Sequence, residues 1–379
     1  MSRNAYIEIN PSNLTSNVQA LIGQYPVYEH YIGVVKGNAY GHTLKSVKHL
    51  IDGGINYLAV SFLDQAIAIR LDGIDTPILL LQPIHLEDVE SAVKNNITIT
   101  VSNYEYFQKL ITLPVTQELK IHLKINSGFN RLGISNKEHV EKIVNTIKQT
   151  KNFKLEGIYS HLATSGRRDN HFDTQIERFK DLTSQINLKE IPIVHMGRSL
   201  TLFTQNKIDF CNSVRIGIAM FGYGVSQPAQ TGIKGFIKKV LGISAKEKII
   251  NGPVLKPAFG LYSEIIEINH VREGEYIGYG ATYRAGKNCI IGCIPVGYAD
   301  GFFRSNKNGY VAIGGKQYQI IAVDMEITTV LVDESVKVYD KVELIGETIT
   351  AKEVATRCGT TIYEIMCECN ESLPRIFKK

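Results

Sequence analysis

Residues 31–71 read YIGVVKGNAYGHTLKSVKHLIDGGINYLAVSFLDQAIAIRL, and they show the pattern that decides the fold. A short apolar run, Tyr31–Val35, is followed by polar chain, and a second run, Tyr57–Val60, is followed by an amphipathic stretch, Leu63–Leu71. Short buried strands that alternate with helices are typical of βαβ units and a parallel sheet.

The same alternation continues to about residue 220. The further apolar runs are Pro77–Leu81, Ile97–Val101, Ile121–Ile125, Leu155–Tyr159, Ile191–Val194 and Ser213–Val214. The helix-like segments among them are Asn103–Ile111, Lys137–Lys148 and Asn170–Ile186. About eight such units predict a closed (β/α)8 TIM-like barrel rather than an open sheet.

After roughly Gly224 the helical period fades, and glycine-rich turns separate short alternating segments. We predict strands at Tyr262–Ile268, Cys289–Ile294, Tyr310–Ile313, Gln319–Val323 and Lys337–Leu344. This pattern indicates a mostly β second domain, with Gln227–Pro257 as the connection. The alternating segment Ala5–Ile9 is expected to pair with that domain.

The length of 379 residues also favours two domains, because one hydrophobic core usually stops growing before this size. We expect residues 1–10 to add a strand to the β domain, residues 11–235 to form the barrel and residues 236–379 to form the β domain. Hydrophobic residues make up 44% and charged residues 21%, as is ordinary for globular proteins.

The charge pattern argues against a nucleic-acid partner, since the net charge is only +5 and no basic block is present. No apolar run reaches the roughly 18 residues of a membrane span, and the start lacks the pattern of a signal peptide. The six cysteines form no CxxC pair and no metal-ligand cluster. We therefore expect a cytoplasmic protein with free thiols, no metal and no membrane contact.

Polar side chains stand at the ends of the predicted barrel strands, where barrel enzymes place their chemistry. They include Lys36, Gln82, Lys124, His161, His195 and Arg215. Strand ends are usually polar, so one such residue means little. A lysine, a histidine and an arginine on different strands are more informative. An ordinary strand end could carry Ser, Asn or Gly instead, so these three residue types together indicate a function.

The segment Val34–His42, VVKGNAYGH, is the most specific local motif. We expect a lysine at the end of a buried strand to be partly desolvated; desolvation lowers the pKa of an ammonium group, and a neutral amine forms an imine with an aldehyde cofactor. Tyr40, four residues later, could direct its hydroxyl at the same ligand. On this chemistry alone, a solvated lysine in a glycine-rich loop is the more common case.

Motifs along nearly the whole chain resemble those of the alanine racemase family, in the same order. VVKGNAYGH is similar to the cofactor-lysine motif VVKANAYGHG of that family. The other matching segments are Lys124–Gly133, Ser160–Ala163, Val194–Ser199, Val214–Ile218, Gly278–Tyr283, Ile294–Gly301 and Pro374–Phe377. One match would be weak, but the ordered set is specific.

The resemblance implies that pyridoxal 5'-phosphate is the cofactor and that Lys36 holds it covalently. Tyr40, Ser199 and the backbone amides of Gly217 and Ile218 would then bind its phosphate. Backbone amides at a barrel strand end are a natural anion site.

The resemblance also implies that Arg215 faces the pyridine nitrogen, where other pyridoxal enzymes place a carboxylate. An arginine keeps this nitrogen unprotonated, which suits exchange of the α-proton and disfavours transamination. His161 would link Arg215 to Tyr279 by hydrogen bonds. Arg131 would hold the phenolic oxygen of the cofactor, positioned by Lys124, and the matching lysine of the family is often carbamylated.

Lys36 and Tyr279 are implied to be the two bases of racemisation, one on each face of the α-carbon. In the family, the tyrosine comes from the other subunit of a homodimer, and Tyr298 and Met325 line the substrate entrance from that same partner. The substrate would be a small amino acid. Without the resemblance, Tyr279 would be interpreted as a turn residue, since the chain has 19 tyrosines.

Several positions depart from the family pattern. Asn126, Ser127 and Phe129 replace Asp, Thr and Met, and Asp324-Met325-Glu326 replaces Cys-Met-Asp. Asn370-Glu371 stands where the family has a tyrosine that props the catalytic one. These changes bear on substrate identity more than on reaction type.

The expected function is therefore interconversion of L- and D-alanine by a two-base mechanism, supplying D-alanine for peptidoglycan. The alternative is a serine or serine/alanine racemase of the vancomycin-resistance type. A decarboxylase of the same architecture is disfavoured, because it would need an acid in place of Arg215. A non-catalytic pyridoxal-phosphate-binding protein is disfavoured too, because it would be a single barrel without the β domain.

Overall fold

The computed structural model describes residues 3–164, 170–224 and 252–378. The chain divides into two compact units. The barrel unit comprises Asn13–Ala39 and Leu44–Lys256, and the β unit comprises Met1–Ser12, Tyr40–Thr43 and Pro257–Lys379. Among the described residues, no helix has both the length and the apolar character needed to cross a membrane.

The first strand, β1 (Tyr6–Ile9), belongs to the β unit, and the eight strands that follow in the described chain are parallel and close into a barrel. They are β2 (His30–Val34), β3 (Tyr57–Val60), β4 (Ile78–Leu80), β5 (Ile97–Val101), β6 (Leu119–Lys124), β7 (Phe153–Tyr159), β8 (Ile193–His195) and β9 (Ser213–Ile216). Strands β3 and β5 are buried at every residue, as parallel strands covered on both faces require. The predicted barrel is confirmed, and each predicted apolar run overlaps one of these strands.

Helices follow most of the barrel strands. They are α1 (Pro11–Gln24), α2 (Val47–Asp52), α3 (Leu63–Leu71), α4 (Val89–Lys94), α5 (Tyr104–Leu110), α6 (Lys137–Gln149), α7 (His171–Leu182) and α8 (Ser199–Thr204). Helix α6 illustrates why these segments form helices that pack on the barrel. Its buried residues recur at the helical period and so form one apolar face; they are Val140, Ile143, Val144 and Ile147. The side chain of Asn136 caps it by accepting a 3.0 Å hydrogen bond from the amide of His139.

The β unit contains a mostly antiparallel sheet of nine strands within the described residues, in the order β11-β14-β17-β16-β15-β18-β10-β1-β19. Its later strands are β10 (Phe259–Glu264), β11 (Glu267–Val271), β14 (Cys289–Ile294), β15 (Tyr310–Ile313), β16 (Lys316–Val323), β17 (Thr328–Val332), β18 (Lys341–Ile345) and β19 (Arg375–Phe377). Strands β12 (Tyr276–Ile277) and β13 (Tyr283–Arg284) form a separate hairpin. Helices α9 (Ala351–Arg357) and α10 (Ile362–Cys367) precede the last strand.

Strand β1 is antiparallel to β10, with Tyr6 opposite Tyr262 and Ile9 opposite Phe259, and it is parallel to β19. The predicted strand Tyr262–Ile268 is wrong as a single element, because the chain changes partners at Ile265. Before that point it pairs with β18, and after it with β14. Strands β12, β13, β17 and β19 were not predicted from the sequence.

The predicted connection Gln227–Pro257 lies, up to residue 251, outside the described residues. The predicted boundary between residues 235 and 236 falls there too, so it stays a prediction.

Candidate active site

Lys36 follows the buried end of β2 and is itself exposed. The predicted partial desolvation of Lys36 is therefore wrong for the single chain, because its side chain extends beyond the buried strand. The turn after it is left-handed: φ is 51° at Asn38, 54° at Ala39 and 53° at Tyr40. This conformation costs non-glycine residues about 1–2 kcal/mol each, and such strain persists only where surrounding contacts enforce it. One such contact is the 2.9 Å hydrogen bond from the amide of Leu44 to Oδ1 of Asn38. An enforced, strained turn beside an exposed lysine is typical of a functional site.

Arg215 is the centre of a dense hydrogen-bond network on β9 and is only 4% exposed. Its Nη2 donates to the carbonyls of Ser160 at 2.7 Å and Met196 at 3.0 Å, and to Nδ1 of His161 at 3.3 Å. Its Nη1 donates to Nδ1 and to the carbonyl of His195. The guanidinium orientation is therefore determined by acceptors at the ends of β7 and β8.

The Arg215 guanidinium stays charged at neutral pH, although burial lowers its pKa to about 10 against the opposing effect of Tyr159. Every contact above uses its terminal nitrogens. Nε makes no hydrogen bond with the described residues, so one charged donor is left for a ligand acceptor such as a ring nitrogen.

His161 is held as a neutral imidazole. Burial, followed by the positive charges of Arg215 and Arg198, lowers its pKa to about 2. The ring of Phe129 packs edge-on against it with centroids 4.9 Å apart, and the guanidinium of Arg131 lies 4.4 Å from the Phe129 ring. The structure thus brings His161 and Arg131 together around Phe129, and Arg215 contacts His161.

Lys124 is 6% exposed at the end of β6, and its Nζ donates to the carbonyl of Leu81 at 3.3 Å. Burial, with the charges of Arg215, Arg131 and Lys36, lowers its pKa to about 7. A neutral amine reacts with carbon dioxide, and the resulting carbamate would be attracted by the surrounding cations. Carbamylation of Lys124 stays a prediction.

The predicted phosphate-binding groups of the barrel unit also meet. Ser199 begins α8, and its Oγ accepts a 3.0 Å hydrogen bond from the amide of Gly217, which directly precedes the 3-10 turn Ile218–Phe221. Ser199, Gly217 and Ile218 are therefore neighbours, and a phosphate bound there would replace Oγ of Ser199 as the acceptor of the Gly217 amide. Together with exposed Lys36 and Nε of Arg215, this donor set fits pyridoxal phosphate.

Tyr40 belongs to the β unit, where its ring lies 5.9 Å from that of Tyr363. Burial raises its pKa, so the hydroxyl is a hydrogen-bond donor at neutral pH. An oxygen that keeps its proton suits the role of a phosphate ligand that the resemblance implies.

The remaining predicted residues lie in the β unit and are exposed in the single chain. Tyr279 is 82% exposed, on a 3-10 turn flanked by glycines with positive φ. Tyr298 and Met325 come together, because the amide of Tyr298 bonds the carbonyl of Asp324 at 3.0 Å and the next amide bonds that of Met325 at 2.9 Å. Gly297 permits this approach, since a Cβ there would lie 2.3 Å from the Asp324 oxygen.

Besides Phe129, two further departures from the family pattern have clear local contacts. Oδ1 of Asn126 accepts from the amides of Gly128 and Asn130, and a carboxylate oxygen would accept equally well. Nδ2 of Asn370 donates to the carbonyl of Ala299 at 3.1 Å, directly after Tyr298. Asn370 therefore supports the segment that carries a predicted substrate contact.

Two polar residues inside the barrel were not predicted from the sequence, the buried His122 on β6 and the half-buried Glu156 on β7, and His195 was given no role. His122 lies between His195 and Glu156, at 3.0 Å and 3.2 Å respectively. A Cβ at Gly157 would lie 2.6 Å from the His122 ring, so glycine makes room for this side chain. The charged Glu156 inside the apolar run Leu155–Tyr159 was the one indication in the sequence.

The chain is similar to known proteins along nearly its whole length. The family model "Alanine racemase, N-terminal domain" matches residues 9–225, and "Alanine racemase, C-terminal domain" matches residues 258–377. Alanine racemase 1 of Bacillus subtilis (strain 168) is 33% identical over 99% of this chain and 93% of its own length. The alanine racemase of Anoxybacillus flavithermus is 34% identical over 100% of this chain and 95% of its own.

The chain is also similar in fold to solved structures. The alanine racemase of E. faecalis has a TM-score of 0.88 at 30% identity and covers 100% of this chain and 99% of its own. The Bacillus anthracis enzyme with bound L-Ala-P has a TM-score of 0.87 at 31% identity, covering 100% and 95%. A histidine racemase of Leuconostoc mesenteroides, at 23% identity, shares the fold. The chain belongs to the alanine racemase family.

Proposed function

We propose that the protein is a pyridoxal-phosphate-dependent racemase that interconverts L- and D-alanine. The observation that carries this proposal is the buried Arg215, a charged guanidinium fixed by neutral acceptors beside His161 and with Nε left over. Family membership and the names of the relatives support the choice of alanine.

Each residue would have a distinct task. When bound, pyridoxal phosphate withdraws electrons from the α-carbon of an amino acid and so acidifies its hydrogen. Arg215 would donate to the pyridine nitrogen and keep it unprotonated. Ser199 and the amide of Gly217 would hold the phosphate, as would Ile218 and Tyr40. Arg131 would bind the phenolic oxygen.

Racemisation needs a proton acceptor and donor on both faces of the α-carbon. Nζ of Lys36 would move the proton on one face, and the hydroxyl of Tyr279 would move it on the other. We propose that Tyr279, Tyr298 and Met325 reach the site from the second subunit of a homodimer. Their exposure in the single chain supports this, since a partner would cover these large side chains.

The alternative substrate is serine. Asn370 and Phe129 support this alternative, because both depart from the family pattern at positions that bear on substrate identity. The decarboxylase alternative is disfavoured by Arg215, because that chemistry wants a protonated pyridine nitrogen. We further propose that the enzyme acts in the cytoplasm and supplies D-alanine for peptidoglycan.

The test is incubation of the protein with a panel of L-amino acids in deuterated water, scoring α-deuterium and the D-enantiomer for each. We expect alanine to gain deuterium and lose its configuration together. A protein that binds pyridoxal phosphate but exchanges no α-hydrogen would contradict the proposal, and carbon dioxide release would favour the decarboxylase.

A further inference from the structure

A chain of buried hydrogen bonds leads from Arg215 into the barrel and ends at a carboxylate. Nη1 of Arg215 bonds Nδ1 of His195, and Nε2 of His195 lies 3.0 Å from Nδ1 of His122. Nε2 of His122 lies 3.2 Å from Oε2 of Glu156. Both histidines are fully buried. We call these four residues the Arg215–Glu156 relay.

The relay has a single donor direction. A guanidinium can only donate, so Nδ1 of His195 must accept and the ring hydrogen sits on Nε2. That hydrogen is then donated to Nδ1 of His122, which likewise carries its own hydrogen on Nε2. The last hydrogen goes to Glu156, which accepts when ionised. Both imidazoles are thus assigned as neutral Nε2–H tautomers by the two charged ends.

Glu156 is built to remain a carboxylate. Besides His122, its Oε2 accepts from the hydroxyl of Tyr57 at 2.6 Å and from Oγ1 of Thr98 at 2.9 Å. Burial by itself would raise its pKa, but the hydrogen bonds from His122, Tyr57 and Thr98 lower it to about 2. Burial lowers the pKa of His122 and of His195, so neither ring takes up the charge.

Arg215 needs this distant carboxylate, because its direct partners are all neutral. They are backbone carbonyls and imidazole nitrogens, and no Asp or Glu of the described residues pairs with it directly. A buried cation without compensation is costly. The relay connects it to a negative charge through two polarisable rings.

The two ends of the relay lie at opposite mouths of the barrel. Glu156 borders a cavity of about 220 Å³ that is also lined by His30, Tyr57 and Ile193, the first residues of β2, β3 and β8. His161, which Arg215 contacts, follows the far end of the strand that carries Glu156. From Glu156 to Tyr159, the last residue of this strand, the rise over three residues is about 10 Å.

We infer that Glu156 is a positioning residue for Arg215, acting through His122 and His195 from the amino-terminal mouth of the barrel. Glu156 accepts the last hydrogen bond and thereby fixes the direction of donation along the relay. Its negative charge also balances that of the guanidinium, so that the Arg215 side chain keeps one orientation and one protonation state. The catalytic consequence rests on the proposed role of Arg215, whereas the tautomers and the coupling do not.

The first test needs no variant. The protein as purified, labelled with ¹⁵N-histidine, should give both His122 and His195 as neutral Nε2–H tautomers in two-bond ¹H–¹⁵N spectra at neutral pH. Either ring as an Nδ1–H tautomer or as an imidazolium would overturn the inference, whether or not the protein is a racemase.

The second test uses Glu156→Gln, which keeps the shape and removes the charge, with exposed Glu177→Gln as its matched control. The nitrogen shifts of His195 should move although Glu156 does not touch that ring, and the control should move neither histidine. A change confined to His122 would mean a merely local, structural role.

Kinetics supply the third arm. Outer contacts that orient metal ligands typically change activity about 10–100-fold, and by analogy kcat of Glu156→Gln should fall about tenfold with KM within about twofold. In an Arg215→Lys background, the same change should cost less than about twofold, because the residue it positions is gone. Independent, multiplying losses would contradict the coupling.

Discussion

Nη2 of Arg215 lies 3.3 Å from Nδ1 of His161, and this contact determines where the imidazole carries its hydrogen. The guanidinium can only donate, so Nδ1 accepts and Nε2 keeps the proton. The contact also holds a positive charge against the ring, which adds to burial in lowering the pKa of His161. His161 is therefore a neutral donor on the side away from Arg215. In the proposed site, that donor would face the hydroxyl of Tyr279.

Replacing Lys36 with alanine should remove covalent attachment of the cofactor. The lysine is exposed at the end of β2, so its removal leaves the barrel core unchanged. We expect loss of the visible absorbance band of the bound cofactor and no borohydride-fixed cofactor on the chain. Exposed Lys142→Ala should retain both. A reducible cofactor bond on another lysine would refute the assignment.

Arg215→Glu should abolish most racemisation and introduce slow transamination. A carboxylate would accept a hydrogen bond from the protonated pyridine nitrogen and so stabilise that form, which strengthens electron withdrawal by the ring. It would also leave the carbonyls of Ser160 and Met196 without a donor, at about 1–3 kcal/mol each. Product analysis should therefore be paired with a melting curve, and Arg178→Glu on the surface of α7 is the control. Normal racemisation by folded Arg215→Glu would refute the role.

The stability of the protein should fall in acid because of His161. Its folded pKa is about 2, and an unfolded histidine titrates near 6.5, so only the unfolded state takes up this proton between those values. The free energy of unfolding should drop as pH falls below about 6.5, by up to about 1.4 kcal/mol per pH unit for one histidine. Urea unfolding of cofactor-free protein from pH 7 to 5 should show a smaller slope in His161→Gln than in wild type. Exposed His270→Gln should keep the wild-type slope, and an unchanged slope in His161→Gln would contradict the assignment.

Serine should be racemised measurably beside alanine. Phe129, packed between His161 and Arg131, and Asn370 beside the Tyr298 segment both differ from the family pattern. Restoring the family residue in Phe129→Met should lower the ratio of serine to alanine kcat/KM, by about 10-fold if one side-chain contact discriminates between them. If serine is neither bound nor turned over by the wild type, this interpretation of the departures fails.

Mixing two inactive variants should restore activity if the active site is shared between subunits. Lys36→Ala and Tyr279→Phe would each be nearly inactive alone. After random exchange half of the dimers are mixed, and each mixed dimer has one intact site, so activity should approach roughly a quarter of wild type. Mass spectrometry should verify the exchange. Verified exchange without recovered activity would show that both bases belong to one chain.

The barrel was predictable from the sequence because buried parallel strands are marked locally, by short apolar runs such as Tyr57–Val60 and Ile97–Val101. The break at Ile265 was not, since an apolar alternation continues across it and the change of partner from β18 to β14 is a long-range event. Lys36 and Arg215 could be proposed from motifs, whereas no motif marked His122.

By itself, the sequence determined which segments become strands and helices, since the period of apolar residues is a property of the local chain. It also determined which residue types stand at the strand ends, including Lys36 and Arg215. Only the tertiary structure decided the partners of Arg215, which come from β7 and β8, tens of residues away. Only closure of the barrel brought the side chains of His122 and Glu156 into one chain of hydrogen bonds. Whether a strand residue faces inward or outward depends on the register among neighbouring strands.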